Sequence, residues 1–300
     1  MCKGTVGFFK PCLKNALCVT QKKMREISSQ EITQRVAAAA IEACRILPPE
    51  VLKALKQACE EEPSPLGRKV LSLLLENARL APELGLPLCQ DTGIAVVLVE
   101  LGEEVRVKGL LEAINEGIAQ GYQKGFLRKS VADPLTRQNT GTNTPAVIHV
   151  EIVSGDRLRL AIMPKGCGSE NMSRLAMLPP AAGLKGVKDF VLKAVAEAGP
   201  NPCPPVTVGV GIGGTFEKAA YLAKKALLRP LRRPSSREDI AELEGELLEE
   251  INKLGIGPLG FGGKTTALAV HVEAFPTHIA SLPVAVNIQC HAARVKWVEL

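Results

Sequence analysis

Three cysteines stand where a chain commonly places chemistry. Cys89 opens Cys89-Gln90-Asp91-Thr92-Gly93, Cys203 lies between prolines in Asn201-Pro202-Cys203-Pro204-Pro205, and Cys290 sits between Gln289 and His291. Each falls at the edge of an apolar, strand-like run, and such junction loops are where sites are usually built. A thiol, an amide, a carboxylate and a hydroxyl side by side are costly to bury idle. Three thiolates from three loops suit an iron–sulfur cluster, because thiolates are soft ligands. Four cysteines would close a [4Fe-4S] cluster. Three leave one iron open as a Lewis acid that can take a hydroxyl and a carboxylate. A free cysteine is also often just a small core residue. Cys44 and Cys59, inside amphipathic helical segments, read that way, and widely separated thiols follow no strict pattern.

Short polar loops surround these positions in sequence. Asn139-Thr140-Gly141-Thr142-Asn143 and Lys165-Gly166-Cys167-Gly168-Ser169-Glu170-Asn171 have the small residues that could line an anionic substrate. Arg128 opens the first loop and could pair a carboxylate bidentately. His278 is a candidate acid or base. A competing motif is Gly209-Val210-Gly211-Ile212-Gly213-Gly214, which follows a strand-like run and opens a helical one, as a dinucleotide loop would. A dinucleotide fold needs a second strand ending in Asp or Glu about 20 residues later. Here a helical segment ends in Leu228-Arg229-Pro230 and another follows it, so the glycines read better as a turn or a close backbone approach.

The composition bounds the rest. Of 300 residues, 46% are hydrophobic and 23% charged, which is globular and not disordered. Aromatics are only 3%, so the core must be aliphatic. A net charge of +6 is too diffuse to argue for nucleic acid. No apolar run reaches the roughly 18 residues of a membrane span. Nine cysteines, an odd number in a large chain, favour a reducing, cytoplasmic compartment over a disulfide framework. Residues 1–25 stand apart as a tail or a start placed too early, with 26–300 as one folded unit.

The elements that must hold the thiols follow in order. Ser28 and Glu31 have capping-box spacing ahead of a helix over Ile32–Ile46. Helices over 49–62 and 64–80 lead to the Cys89 turn, and a strand over Ile94–Leu101 follows it. Val105–Leu127 reads as one helix. Ala146–Val153 and Leu158–Pro164 read as a hairpin around Ser154-Gly155-Asp156-Arg157. Then come a helix over Val187–Ala198, a strand over Val206–Ile212, a helix over Phe216–Leu228, and a helix over Glu238–Leu254 capped by Ser236. Strands over Thr266–Phe275 and Leu282–Ile288 finish the pattern. Helices mixed with a hairpin predict an α/β, mixed α+β architecture.

Together these motifs resemble the α subunit, or N-terminal domain, of the class I iron–sulfur fumarase and L-tartrate dehydratase family. The resemblance runs from about Glu26 to Leu300. It rests on the Cys89–Gly93, Asn139–Asn143 and Lys165–Asn171 motifs, Cys203-Pro204-Pro205 followed by Ile212-Gly213-Gly214-Thr215, Phe261-Gly262-Gly263-Lys264, and His278 twelve residues before Cys290. It implies a mixed-sheet fold and a [4Fe-4S] cluster on Cys89, Cys203 and Cys290. It also implies Gln90, Arg128 and Gly166 at the substrate, and Asp91 and His278 as a hydrogen-bonded acid/base or orienting pair. Cys167 stands where the family uses no ligand. The implied reaction is reversible hydration of a small dicarboxylate, fumarate to L-malate first, with L-tartrate dehydration as the alternative. Single-chain members continue into a further domain, so this chain is similar to the two-subunit type. A β subunit would complete the site in an α2β2 or similar assembly, with no nucleic acid and no membrane involved.

Overall fold

The computed structural model describes residue 1 and residues 24–300, so most of the expected N-terminal tail, with Cys2, Cys12 and Cys18, lies outside the described residues. Five layers stack through the rest. The first is α1 (Ser29–Arg45) with α4 (Leu110–Lys124). They cover a sheet ordered β10 (Lys296–Glu299), β5 (Leu158–Lys165), β2 (Ile94–Gly102), β4 (Val147–Val153). The third layer is α7 (Phe216–Ala226) alone. The fourth is a sheet ordered β6 (Arg174–Leu178), β9 (Leu282–Gln289), β7 (Val206–Gly213), β8 (Ala267–Phe275). The fifth is α6 (Gly183–Ala198) with α8 (Glu238–Lys253).

Period-2 alternation sorts the side chains into these layers. Along β2, Ala95, Val97 and Val99 join the core under α1 and α4, while Val96 and Leu98 face Tyr221 and Leu227 at α7. Along β7, Val206, Val208 and Val210 pack against α6 and α8. The opposite face carries Thr207, Gly209 and Gly211, and the bare faces of the two glycines receive α7. A Cβ on Gly209 would lie 2.1 Å from the Ala223 carbonyl oxygen, and one on Gly211 2.0 Å from that of Ala219. These glycines of the apparent dinucleotide motif therefore lie inside a strand and admit a helix, not a phosphate. After α7 comes α8, and no ribose-binding strand intervenes.

Several expectations are corrected. The strands β4 and β5 do not pair: β2 lies between them, parallel to β4 and antiparallel to β5. The 154–157 link instead passes over the end of β2, where a Cβ on Gly102 would meet the Gly155 carbonyl oxygen at 2.4 Å. Both faces of β2 are buried, so it takes the central place, and β4 is left at the edge with Ile152 75% exposed. The single helix expected from Val105 is interrupted. Val105–Val107 forms a short strand, β3, parallel to β1 (Arg25–Ile27), and Gly109 at φ 71° turns the chain into α4. Two β-branched residues in alternation outweigh helix propensity there. The strands β6 and β10 add to those expected. Ser28 precedes α1 without a side-chain cap, and Arg237, not Ser236, stands at the start of α8.

A helical hairpin of α2 (Pro49–Glu61) and α3 (Pro65–Leu84) covers the end of the stack where the cysteine loops emerge. Its core joins Leu55, Leu71 and Leu74 to Leu88 beside the first loop and Ala292 beside the third. Ser64 caps α3 by accepting from the Gly67 N–H at 3.2 Å. Pro65 begins the helix at the position where a missing N–H costs nothing. Glu62, fully buried, accepts from the N–H groups of Ser64, Lys264 and Thr265 and so pins the glycine-rich loop after α8 to this hairpin. No helix among the described residues is long and apolar enough to cross a membrane.

Candidate active site

Gly85 at φ 67° ends α3, a left-handed position that glycine takes without strain. The chain then turns back along α1, where the Leu88 N–H donates to the Cys44 carbonyl at 2.8 Å and Asn77 Nδ2 donates to the Leu88 carbonyl at 2.9 Å. Cys89 follows, half-buried, and Gln90 is exposed beside it. The next residues are fixed from below. Buried Tyr122 donates to the Thr92 carbonyl at 2.7 Å, and Thr92 Oγ1 donates to the Arg128 carbonyl at 2.9 Å. Asn143 Nδ2 donates to the Gly93 carbonyl at 3.1 Å, while its Oδ1 accepts from the Ser130 and Val131 N–H groups. The Asn139–Asn143 motif is thus the tie that holds the Arg128 segment to the Cys89 turn. Arg128 itself is exposed.

A second turn packs on the first. Gly93 sits at φ 71°, and a Cβ there would lie 2.3 Å from the Lys165 carbonyl oxygen. Asp91 bridges the contact. One carboxylate oxygen accepts from its own turn's Gly93 N–H at 2.9 Å, and the other accepts from the Cys167 N–H at 2.8 Å. Cys167 opens α5 (Cys167–Glu170), a single helical turn. Gly166 lies directly under this bridge: a Cβ there would meet Arg294 at 2.5 Å and Asp91 at 3.2 Å.

The other two thiols come from the ends of β7 and β9. Cys203 precedes β7 with φ 56°, a left-handed conformation that is strained for a residue with a side chain. Its carbonyl accepts from the His291 N–H at 3.3 Å and stands 3.0 Å from His291 Nδ1, so the Cys203 and Cys290 loops are tied together. Cys203 is exposed overall, yet the protein packed around its sulfur pushes the thiol up. Cys290 and Cys89 push it in the same direction and Arg294 pulls it down, so these groups lie within electrostatic reach of one another. The bonds between the Cys203 and Cys290 loops, and the core that Leu88 shares with Cys290 and Ala292, bring Cys89, Cys203 and Cys290 to one end of the molecule. Cys44 belongs to the same neighbourhood but is fully buried, and burial holds its thiol up at about 12.

Two buried cations adjoin the thiols, and sequence reasoning missed both roles. Arg294 is 2% exposed and Lys165 is fully buried. Lys165 Nζ lies 2.7 Å from Ser169 Oγ and 3.3 Å from Glu170. Burial lowers its pKa to about 8, with Glu170 and then Cys290 opposing. For Glu170, burial alone would raise the carboxyl. Lys224 of α7 and then Lys165 outweigh it and hold it below the usual range, and Asn287 of β9 donates to it at 2.9 Å. The only hint in the sequence was a lone arginine four residues after Cys290, and nothing in the local pattern says that it folds inward.

His278 is placed elsewhere. It lies in the loop before β9, exposed, beside Phe216, Phe275 and Thr277, and its Nδ1 accepts from the Ala280 N–H at 3.1 Å. The whole of β9 separates it from Cys290, roughly 25 Å at about 3.3 Å per residue. The expected pairing of His278 with Asp91 is therefore not made within one chain, and both Asp91 oxygens are engaged by backbone amides.

Three thiols on strand-end loops, with buried positive charge behind them, define an α/β protein whose donors suit a thiolate-bound metal group. Among the described residues no set of three or more Cys, His, Asp or Glu closes around one ion. The family model for fumarate hydratase (fumerase) matches residues 33–299. The "Putative L(+)-tartrate dehydratase subunit alpha" of Methanocaldococcus jannaschii is 45% identical over 270 residues, covering 86% of this chain and 94% of that protein. The L(+)-tartrate dehydratase subunit alpha of Escherichia coli K12 is 34% identical over 253 residues, covering 83% and 84%. The chain belongs to the fumarate hydratase family, a family of hydro-lyases.

Proposed function

We propose that the chain is the cluster-bearing subunit of an iron–sulfur dehydratase acting on a small hydroxy-dicarboxylate, with L-tartrate as the first candidate. The sequence motifs alone favoured fumarate. The order is reversed because relatives at 45% and 34% identity carry the tartrate dehydratase α-subunit name. Fumarate and L-malate remain the second reading, supported by the family model's description.

Cys89, Cys203 and Cys290 would hold a [4Fe-4S] cluster, and its fourth iron would supply Lewis-acid help to the departing hydroxyl. Arg128, exposed beside the Cys89 turn, would take a substrate carboxylate bidentately. Gln90 and the Gly166 backbone would line the same face. Asp91, with both oxygens held by amides, would orient the substrate hydroxyl and not move as it does so. His278 fits the chemistry only as a group presented by another copy of the chain. Loss of water from L-tartrate gives an enol that rearranges to oxaloacetate; loss of water from L-malate gives fumarate. The two differ by one hydroxyl, a distinction made by pocket contacts. The "subunit alpha" names of the relatives support a companion β subunit, which would supply the remaining groups.

The test is a substrate competition. The chain is co-produced with its companion subunit, assembled anaerobically with iron and sulfide, and assayed with L-tartrate and with L-malate. A kcat/KM at least about tenfold higher for L-tartrate is expected, a difference within reach of one well-placed hydrogen bond. Preference for L-malate or fumarate would reverse the assignment.

A further inference from the structure

Arg294 is the group that the site's geometry explains least well as mere packing. Its turn is strained, with Ala293 at φ 38° and its N–H donating back to the Cys290 carbonyl at 3.0 Å. That turn sends the arginine inward. Nε donates to the Pro164 carbonyl at 2.9 Å, and Nη1 donates to the Asp91 carbonyl at 2.6 Å. One planar fork thus grips the Cys89 turn and the Lys165–Cys167 turn together. Glycine at 166 leaves open the space on which the Arg294 guanidinium and the Asp91 carboxylate both border. Among the described residues no carboxylate forms an ion pair with Arg294, and carbonyls alone receive it. Burying a guanidinium without an ion-pair partner is costly. Lys165 differs, because Glu170 answers its charge. The groups that face Arg294 electrostatically are Cys290, Cys44, Cys89 and Asp91.

We propose that Arg294 is the positioning residue of the site: its fork locks Asp91 and the Cys167 amide in place, and its charge is the built-in counter-ion of the thiolate-bound cluster. The counter-ion half rests on the function proposed above, whereas the locking half does not. Arg294 touches neither substrate nor iron in this account. It acts through the two turns that do.

The variants are R294Q, which removes the charge, and R294K, which keeps the charge but cannot bridge two carbonyls in one plane. Both are made in the full chain with its companion subunit. Amide exchange at Gly93 and Cys167, the two N–H groups bound by Asp91, is read in the metal-free protein. It should quicken in both variants. Iron and sulfide content and the cluster's midpoint potential are read after anaerobic assembly. R294Q should lose most of its cluster, and what remains should titrate at a more negative potential. R294K should keep a potential close to the parent's. In both, kcat should fall about 100-fold while KM changes little, as expected for misplacement of a group by about 1 Å. If R294Q does not fold, R294K and G166A carry the test, since the new methyl displaces the guanidinium. Unchanged amide protection in R294Q, or in R294K and G166A, would overturn the locking role, and unchanged cluster content and potential in R294Q would overturn the counter-ion role. If the parent protein takes up no cluster, the proposed function fails, and amide exchange still decides whether Arg294 locks the turns.

Discussion

At the scale of single residues, the site is a set of backbone groups held by a few buried side chains. Asp91 binds two amides, Asn143 three backbone groups, and Arg294 two carbonyls. The thiols were legible in the sequence because a cysteine at a strand edge beside Gln-Asp stands out chemically. Arg294 and Lys165 were not, because a charged residue gives no sign in sequence that it will be buried. Glu170 shows the energetic side of this arrangement. Its carboxyl is held below the usual range by Lys224 and Lys165 against the cost of burial. A folded pKa below the unfolded one means that the unfolded chain binds the extra proton first as pH falls. The stabilisation from Glu170 is therefore complete above about pH 4.5 and drains away as pH drops through the lower folded value. E170Q should cost about 2–4 kcal/mol at neutral pH by leaving two cations without their partner. Its stability should also vary less between pH 5 and pH 3 than the parent's, measured by urea unfolding at each pH. An equal slope for both proteins would remove Glu170 from the network.

At the scale of elements, the glycines of β7 decide the architecture. Gly209 and Gly211 fit a dinucleotide-loop pattern in sequence, and the close backbone approach they provide lets α7 lie on the sheet. The alternation Val206, Val208, Val210 against Gly209, Gly211 carried that information, since period-2 spacing puts the glycines on a single face. G211A places a methyl 2.0 Å from the Ala219 carbonyl oxygen, where only backbone can yield. We expect a loss of about 3 kcal/mol in urea unfolding, at the upper end of overpacking costs. G245A, in α8 with nothing within 4 Å of the new methyl, serves as the control and should be neutral or slightly stabilising. A parent-like G211A would contradict the backbone contact between α7 and β7. Most helices were legible from their 3.6-residue pattern. Strand pairing was not: β4 and β5 are adjacent in sequence and apolar, yet β2 takes the place between them, since pairing is settled by which strand can be buried on both faces.

At the scale of the whole molecule, two sheets and their helices bring one end of β7, one end of β9 and the turn before β2 to a common face. The α2–α3 hairpin supports that face from the side through Leu88 and Ala292. The helix α7 joins the two halves, with Lys224 bonded to Glu170 below the site and Lys225 to Glu151 of β4 at 2.6 Å. The mixed α/β class followed from the order of helical and strand-like segments. The five-layer stack did not, because α7 between two sheets depends on contacts far apart in sequence. The loops on the cysteine face expose Gln90, Arg128 and Cys167 to whatever covers them. The central claim is that this face carries a three-cysteine cluster. Iron and acid-labile sulfide per chain, measured after anaerobic assembly of the parent, C203S and C167S proteins, test it most directly. About four of each are predicted for the parent and for C167S, with a marked loss in C203S. A parent chain without iron, or a C203S chain that holds as much as the parent, would contradict it.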